Sequence, residues 1–150
     1  MELDRLVELD VVDAARRLVG ATITTIRRGN RTSVMLTEAE AYHPDEPASH
    51  SHRGPTARNA PMFGPPGRLY VYRSYGIHWC ANVVTRPVGS AVLLRAGEPR
   101  EGLDVMAVRR GRGDHLADGP GKLTQALGID GEDDGHDLLT SQRILIVPSP

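Results

Sequence analysis

The chain has 150 residues, the size of one ordinary domain, and this length predicts a single domain over residues 1–150. Its one cysteine, Cys80, excludes an intrachain disulfide and is typical of proteins from a reducing cytoplasm. The acidic amino end lacks a long apolar run, and no stretch approaches the roughly 20 apolar residues of a membrane helix. We therefore expect neither a secretory signal nor a membrane anchor.

The charge is distributed unevenly along the chain, although the formal net charge is only -1. Residues 1–52 carry a net charge of -3, residues 53–112 carry +7, and residues 113–150 carry -5. A basic middle between two acidic ends is either compositional scatter or a cationic surface for an anionic polymer such as a nucleic acid.

Apolar periodicity and turn signals divide the chain into short strands and helices. In chain order they predict a helix over 11–19, strands over 21–27 and 32–42, a long Pro/Gly-rich loop over 43–68, two strands within 69–85, a strand over 90–96, helices over 100–110 and 120–127, an acidic loop over 130–137 and a strand over 143–147. Asp10 is expected to cap the first helix. The apolar side of that helix is expected to hold Val11, Val12, Ala15, Leu18 and Val19. Hairpins with separate helices predict an α+β fold.

Two carboxylates share one face of the predicted 32–42 strand. Because side chains alternate along a strand, Glu38, Glu40 and Tyr42 point to the same side as the apolar Val34 and Leu36. One reading is that the strand leaves the core by residue 38 and both acids are solvated. The other is that one acid lies in a cleft as a general base beside Tyr42.

Aromatic residues cluster in the basic stretch. The chain has six aromatic residues, and five of them fall between positions 63 and 79. Tyr70 and Tyr72 share a strand face, whereas Tyr75 lies at the predicted hairpin tip beside Gly76. Strand tyrosines are usually packing residues, but aromatic rings among arginines also suit base stacking and phosphate binding.

The histidines of the long loop suggest a third interpretation. His43, His50 and His52 lie close together in sequence and are ligand types that zinc accepts. A metal-dependent hydrolase therefore stays open as an alternative. The motif is short and has no cysteine partner, so we expect no metal and no other cofactor.

Four segments occur together in an order that resembles one family. They are LTEAEAYHPDEPASHS, ARNAPMFGPPGRLYVYRSYGIHWCANVV, AVLLRAGEP and DGPGKLTQALGI, within about residues 10–130. The sequence resembles the alkyladenine, or methylpurine, DNA glycosylases. The resemblance implies a monomeric α+β domain with a curved antiparallel sheet and flanking helices.

The resemblance also implies roles for individual residues. Glu40 matches the general base, and Arg95 matches the arginine that helps to hold the attacking water. Tyr42, His50 and Tyr72 match the residues around the extruded base, with Tyr70 as a supporting tyrosine. Tyr75 matches the side chain that intercalates into the DNA. Asn82 matches the residue that crowds the amino group of guanine.

The function implied is base excision repair of double-stranded DNA. The enzyme would flip out an alkylated or deaminated purine and hydrolyse its glycosidic bond, leaving an abasic site without nicking the strand. The resemblance implies a bacterial, cytoplasmic protein that meets the nucleoid through DNA. The family normally continues beyond the acidic loop, whereas this chain stops at Pro150. A non-catalytic module that binds damaged DNA therefore also stays open.

Overall fold

A computed structural model describes all residues from Met1 to Pro150. The helices and strands in chain order are α1 (Leu3–Leu6), α2 (Val11–Leu18), β1 (Thr22–Arg27), β2 (Asn30–Tyr42), β3 (Leu69–Ser74), β4 (His78–Val84), β5 (Ala91–Glu101), α3 (Leu103–Arg110), α4 (Pro120–Leu127) and β6 (Ile144–Val147). Two short 3-10 turns, Ala60–Phe63 and Gly131–Asp133, interrupt the long loop and the acidic loop. The predicted α+β class is confirmed.

All six strands form one antiparallel sheet in the order β3-β4-β5-β2-β1-β6. The sheet curls into a half-barrel, as the resemblance implied. An apolar sheet face must be covered, and α2, α3 and α4 pack against the strands. One apolar cluster of 27 buried residues joins the helices to the sheet. None of the helices combines the length and the apolar character needed to cross a membrane.

Helix α2 begins where its cap predicts. The Asp10 carboxylate accepts a hydrogen bond from the Val12 backbone N–H, which satisfies one of the free donors of the first turn. The predicted apolar side is only partly right, because Val12 and Val19 are exposed whereas Ala14 is buried. Val11, Ala15 and Leu18 are buried as predicted.

The largest difference from the predicted elements lies in β5. The strand continues to Glu101, so residues 100–101 are extended, not the start of a helix, and α3 begins only at Leu103. Pairing with β2 extends the strand through Gly97 and Pro99, two residue types that usually end strands. Tertiary pairing therefore overrides the local turn signal.

Candidate active site

The two acids of β2 have different surroundings. The Glu40 carboxylate accepts one hydrogen bond from the Tyr42 hydroxyl at 2.6 Å and another from Arg95 Nη1 at 2.5 Å. Glu38 reaches only Arg95 Nε, at 3.8 Å, and its side chain is 61% exposed, against 37% for Glu40. Of the two predicted candidates, Glu40 is the one that the structure holds in a fixed position beside an aromatic ring.

Two irregularities in the pairing of β2 with β5 bring Arg95 to this face. The register passes from Leu36 paired with Gly97 to Glu38 paired with Ala96, and then to Ala39 paired with Leu94. Thr37 on β2 and Arg95 on β5 are therefore left without a cross-strand partner. The unpaired Thr37 reverses the alternation, because Val34 and Leu36 belong to the core before it, whereas Ala39 and Ala41 pack against that core beyond it. The prediction that the two acids share the face of Val34 and Leu36 is therefore wrong. Such bulges redirect side chains and are frequent beside active sites. Here the extra residue is the arginine that contacts both carboxylates.

An aromatic pocket opens beside Glu40. Its walls come from β2, β3, β4 and the long loop. They consist of Tyr42, Ala48, His50, Met62, Tyr70, Tyr72 and Asn82. The His50 and Tyr72 rings lie 4.1 Å apart between centroids, and the Tyr70 and Tyr72 rings lie 5.5 Å apart. The His50 Nδ1 atom and the Tyr70 hydroxyl are 3.0 Å apart, a hydrogen bond that fixes the imidazole against β3.

The titratable groups of the pocket are held in their neutral forms. Donation to the Glu40 carboxylate, together with burial, raises the pKa of Tyr42 to about 12. Burial raises the pKa of Tyr70 to about 12 and raises that of Tyr72 further. Burial and the nearby Arg58 lower the pKa of His50. The pocket therefore presents neutral electron-rich rings, with the negative charge of Glu40 at one side.

The long loop is ordered by side-chain hydrogen bonds to its own backbone. The buried Asn59 amide donates to the carbonyl oxygens of His50, at 2.8 Å, and of Gly54, at 3.2 Å. The Ser51 hydroxyl donates to the Gly89 carbonyl at 2.5 Å, which ties the loop to the segment before β5. Local bonds of this kind replace regular secondary structure. They position His50 as a pocket wall.

Asn82 and Tyr75 occupy contrasting positions. Asn82 is buried in the pocket wall, and its amide donates to the Tyr70 carbonyl at 3.2 Å. Tyr75 lies outside the pocket at the tip of the β3–β4 hairpin, 95% exposed, with φ of +52°. The structure thus gathers Glu40, Tyr42, His50, Tyr70, Tyr72, Asn82 and Arg95 around one pocket and leaves Tyr75 beyond it.

The three loop histidines do not converge on a common point. His43 Nδ1 accepts from the Asp45 backbone N–H, His50 Nδ1 bonds Tyr70, and His52 Nδ1 lies 2.9 Å from the Pro44 carbonyl. No group of three histidine, cysteine or carboxylate side chains is close enough together to hold a metal ion. This geometry gives the metal-hydrolase alternative no support.

Two residues of the loop were missed by the sequence reasoning. Asn59 orders the loop, and Arg58 links it to β3 by donating from Nη2 to the Arg73 carbonyl at 3.0 Å. An asparagine among Gly, Pro and Thr residues is a general sign of side-chain to backbone bonding. Nothing in the sequence indicates which carbonyl groups it binds.

The chain is similar in sequence to proteins of one family. The sequence profile of the family described as "Methylpurine-DNA glycosylase (MPG)" matches residues 5–150. A relative from Agrobacterium fabrum named "Putative 3-methyladenine DNA glycosylase" is 54% identical over 141 residues, covering 93% of this chain and 70% of its own length. A relative of the same name from Nitrosospira multiformis is 53% identical over 141 residues, covering 91% of this chain and 71% of its own.

A third relative with that name, from Rhodopseudomonas palustris, is 54% identical over 132 residues, which cover 85% of this chain and 62% of its own length. The chain therefore spans between about six and seven tenths of the relatives that it matches. The profile match, the identities and the aromatic pocket beside Glu40 lead to one conclusion: this chain belongs to the methylpurine-DNA glycosylase family.

Proposed function

We propose that this protein is a DNA glycosylase of base excision repair that extrudes an alkylated or deaminated purine from duplex DNA and hydrolyses its N-glycosidic bond. A single observation carries the proposal: the Glu40 carboxylate, bound by Tyr42 and Arg95, lies at the side of a pocket of neutral aromatic rings. A base cannot be attacked within the stack, so such a pocket requires it to be flipped out.

Glu40 is the general base in this proposal. A carboxylate offers about four lone-pair sites, and the bonds from Tyr42 and Arg95 occupy two of them. A water bound to Glu40 attacks the sugar carbon and gives its proton to the carboxylate. As the new carbon–oxygen bond forms, the glycosidic bond breaks and its electron pair leaves with the purine. Tyr42 is protonated near neutral pH and remains a donor to Glu40, since that hydrogen bond and burial raise its pKa to about 12.

The aromatic walls supply selectivity for damaged bases. Alkylation of a ring nitrogen makes a purine cationic, and contact with electron-rich rings favours a cation by roughly 0.5–2 kcal/mol. A neutral His50 suits this role, because a protonated imidazole would repel such a base. In the proposal Tyr42, His50 and Tyr72 surround the base, Tyr70 supports His50, and Asn82 crowds the amino group of guanine.

Tyr75 is proposed to fill the space that the base vacates. Its ring is 95% exposed at the hairpin tip and makes no packing contribution that would prevent insertion. Side chains that enter the stack hold DNA in a distorted state by replacing lost stacking. The hairpin would therefore act on the helix while the pocket acts on the extruded base.

We further infer that the enzyme leaves an abasic site without cutting the strand, needs no metal or cofactor, and works as a monomer on nucleoid DNA in the bacterial cytoplasm. Strand-nicking glycosylases generally use an amine nucleophile. The only lysine, Lys122, lies on α4, outside the pocket walls, and its Nζ is 3.0 Å from Asp118. That placement supports hydrolysis by water.

The test is single-turnover base release from alkylated duplex DNA, with Glu40→Gln as the variant. We expect Glu40→Gln to bind DNA normally and to release bases at least ~10²-fold more slowly, the lower end for loss of a general base. Glu38→Gln, two residues away on the same strand face, is the matched control and should stay within a few-fold of wild type.

Three outcomes would contradict the proposal. Absence of free base with the wild-type protein, despite binding of damaged DNA, would favour the non-catalytic binding module. A covalent protein–DNA adduct after borohydride trapping would show an amine nucleophile in place of water. Near-normal release by Glu40→Gln would remove Glu40 from the role of general base.

A further inference from the structure

Three arginines near the pocket have no carboxylate partner. Arg95 contacts two carboxylates, but Arg53, Arg58 and Arg73 form no ion pair within 4.0 Å. All three are exposed, and they belong to the segment over 53–112 that carries a net charge of +7. Unpaired cations around a concave site favour an anionic ligand.

Arg58 differs from the other two in its position. The guanidinium group of Arg73 lies over the Trp79 ring, with its carbon 5.6 Å from the ring centre. One face of this guanidinium is therefore covered by the indole. Arg58 crosses from the long loop to β3 and donates from Nη2 to the Arg73 carbonyl at 3.0 Å. That carbonyl lies two residues before Tyr75. The Arg58 side chain therefore reaches the hairpin that carries the exposed tyrosine.

The other end of Arg58 is anchored at the pocket. The next residue, Asn59, is buried and donates to the His50 carbonyl at 2.8 Å. The charge of Arg58 also acts on two pocket residues: it adds to the burial that lowers the pKa of His50 and partly offsets the burial that raises the pKa of Tyr70. Arg58 thus lies between the pocket wall and the hairpin, with its backbone held in place by a buried neighbour.

Base flipping places a phosphate in this region. An extruded nucleotide leaves the stack but stays joined to the strand, so its backbone must pass between the vacated position and the pocket. If Tyr75 occupies the first position and the His50 wall borders the second, that backbone runs past Arg58. A guanidinium has five N–H donors, and the bond to Arg73 uses one of them. The free donors match phosphate geometry in a two-bond arrangement.

We propose that Arg58 binds the backbone phosphate next to the extruded nucleotide and so holds the flipped state between the hairpin and the pocket. This inference rests on the proposed glycosylase function. Arg58 is a positioning residue here, because it contacts the substrate backbone and not the bond that breaks.

The experiment combines Arg58→Ala with DNA in which one phosphate is made neutral. Duplexes contain one hypoxanthine, and each of the phosphates flanking it is replaced in turn by a methylphosphonate. Binding constants are measured for wild type, Arg58→Ala, Arg58→Lys and the control Arg17→Ala, which removes an exposed arginine of α2.

We expect the wild-type protein to lose about tenfold in affinity when one particular flanking phosphate is neutral, as for a hydrogen bond to a charged group. Arg58→Ala should show the same loss on unmodified DNA and no further loss on that methylphosphonate duplex. For Arg58→Ala, the slope of log Kobs against log salt concentration should be shallower by about 0.9, the value for the loss of one phosphate contact. Arg58→Lys should keep the salt dependence, and Arg17→Ala should match wild type in every arm.

Two results would overturn the proposal. If the losses from Arg58→Ala and from each methylphosphonate simply add, Arg58 does not bind either flanking phosphate. If Arg58→Ala and Arg58→Lys lower the melting temperature but keep the wild-type salt dependence, the bond to Arg73 is the whole role of the side chain. Base release by the wild-type protein from unmodified alkylated DNA is measured in parallel. If no base is released, the proposed function is contradicted. The binding measurements test the role of Arg58 independently of that result.

Discussion

Tyr70 and Tyr75 lie five residues apart on one hairpin and have opposite environments. Tyr70 is 1% exposed, packs beside Tyr72 and bonds His50 through its hydroxyl. Tyr75 is 95% exposed and adopts a left-handed backbone conformation at the tip. A positive φ is uncommon for a bulky residue and carries a conformational cost. The first tyrosine contributes to the folded state, whereas the second contributes almost nothing to it.

In the proposed reaction the two tyrosines have different tasks. The pocket wall must be rigid, because the base and the attacking water have to meet in a fixed geometry. In the proposed mechanism the hairpin tip must be free, because its side chain would enter the DNA only when a base leaves. One strand pair therefore carries a buried, hydrogen-bonded aromatic group and, beyond it, an unpartnered one.

The largest expected effect concerns stability. Tyr70→Ala should lower the free energy of unfolding by about 3–5 kcal/mol, the usual range for deleting a buried aromatic ring. Tyr75→Ala should change it by no more than about 0.5 kcal/mol, as for surface positions. Urea unfolding of both variants measures this contrast. Equal losses would mean that Tyr75 packs against the fold in solution.

The second expected effect concerns excision. Tyr75→Ala should slow single-turnover release from duplex DNA by about tenfold or more, because stacking of a base on an aromatic ring is worth about 1–3 kcal/mol. Release from the same lesion in single-stranded DNA should change far less, since no stack has to be replaced. Equal slowing on both substrates would show that the hairpin tip serves some step other than flipping.

A smaller effect is expected at Asn82. Adenine and guanine offer similar faces to aromatic walls, but guanine carries an exocyclic amino group on its minor-groove edge. Asn82→Ser shortens the side chain and keeps a polar group, which relieves a steric clash of the kind that excludes guanine. We expect release of 7-methylguanine relative to hypoxanthine to rise by about five- to tenfold, within the range for small steric changes in a pocket. An unchanged ratio in a folded variant would assign Asn82 only to its bond with the Tyr70 carbonyl.

The smallest effect concerns His50 and pH. Burial lowers the pKa of His50 in the folded protein below the unfolded value of about 6.5. As the pH falls through about 6.5, the unfolded chain takes up the proton first, so the folded state loses stability relative to it. The melting temperature of wild type should therefore fall more than that of His50→Gln between pH 7.5 and 5. The pKa of His136 is also lowered, but it affects both proteins equally. Parallel pH curves for the two proteins would show that His50 is not desolvated.

Strand β2, the β3–β4 hairpin and helix α4 were predictable because their sequence signals are local. Alternation along β2 placed Glu38, Glu40 and Tyr42 on one face, and Pro120 at a first-turn position marked the start of α4. The hairpin joint at Tyr75 and Gly76 was predicted in the same way. The extension of β5 was not, because Pro99 gives a local stop signal that pairing with β2 overrides.

The sequence by itself determined the fold class, the family and the set of candidate residues, because alternation, turn residues and motif order are properties of the chain alone. Only the tertiary structure bound Glu40, and not Glu38, to Tyr42, brought Arg95 onto their face through two bulges, and placed Arg58 between the loop and the hairpin. Each of these depends on a partner distant in sequence. Cross-strand register and side-chain hydrogen bonds over such separations arise only when the sheet curls and the loop closes over it.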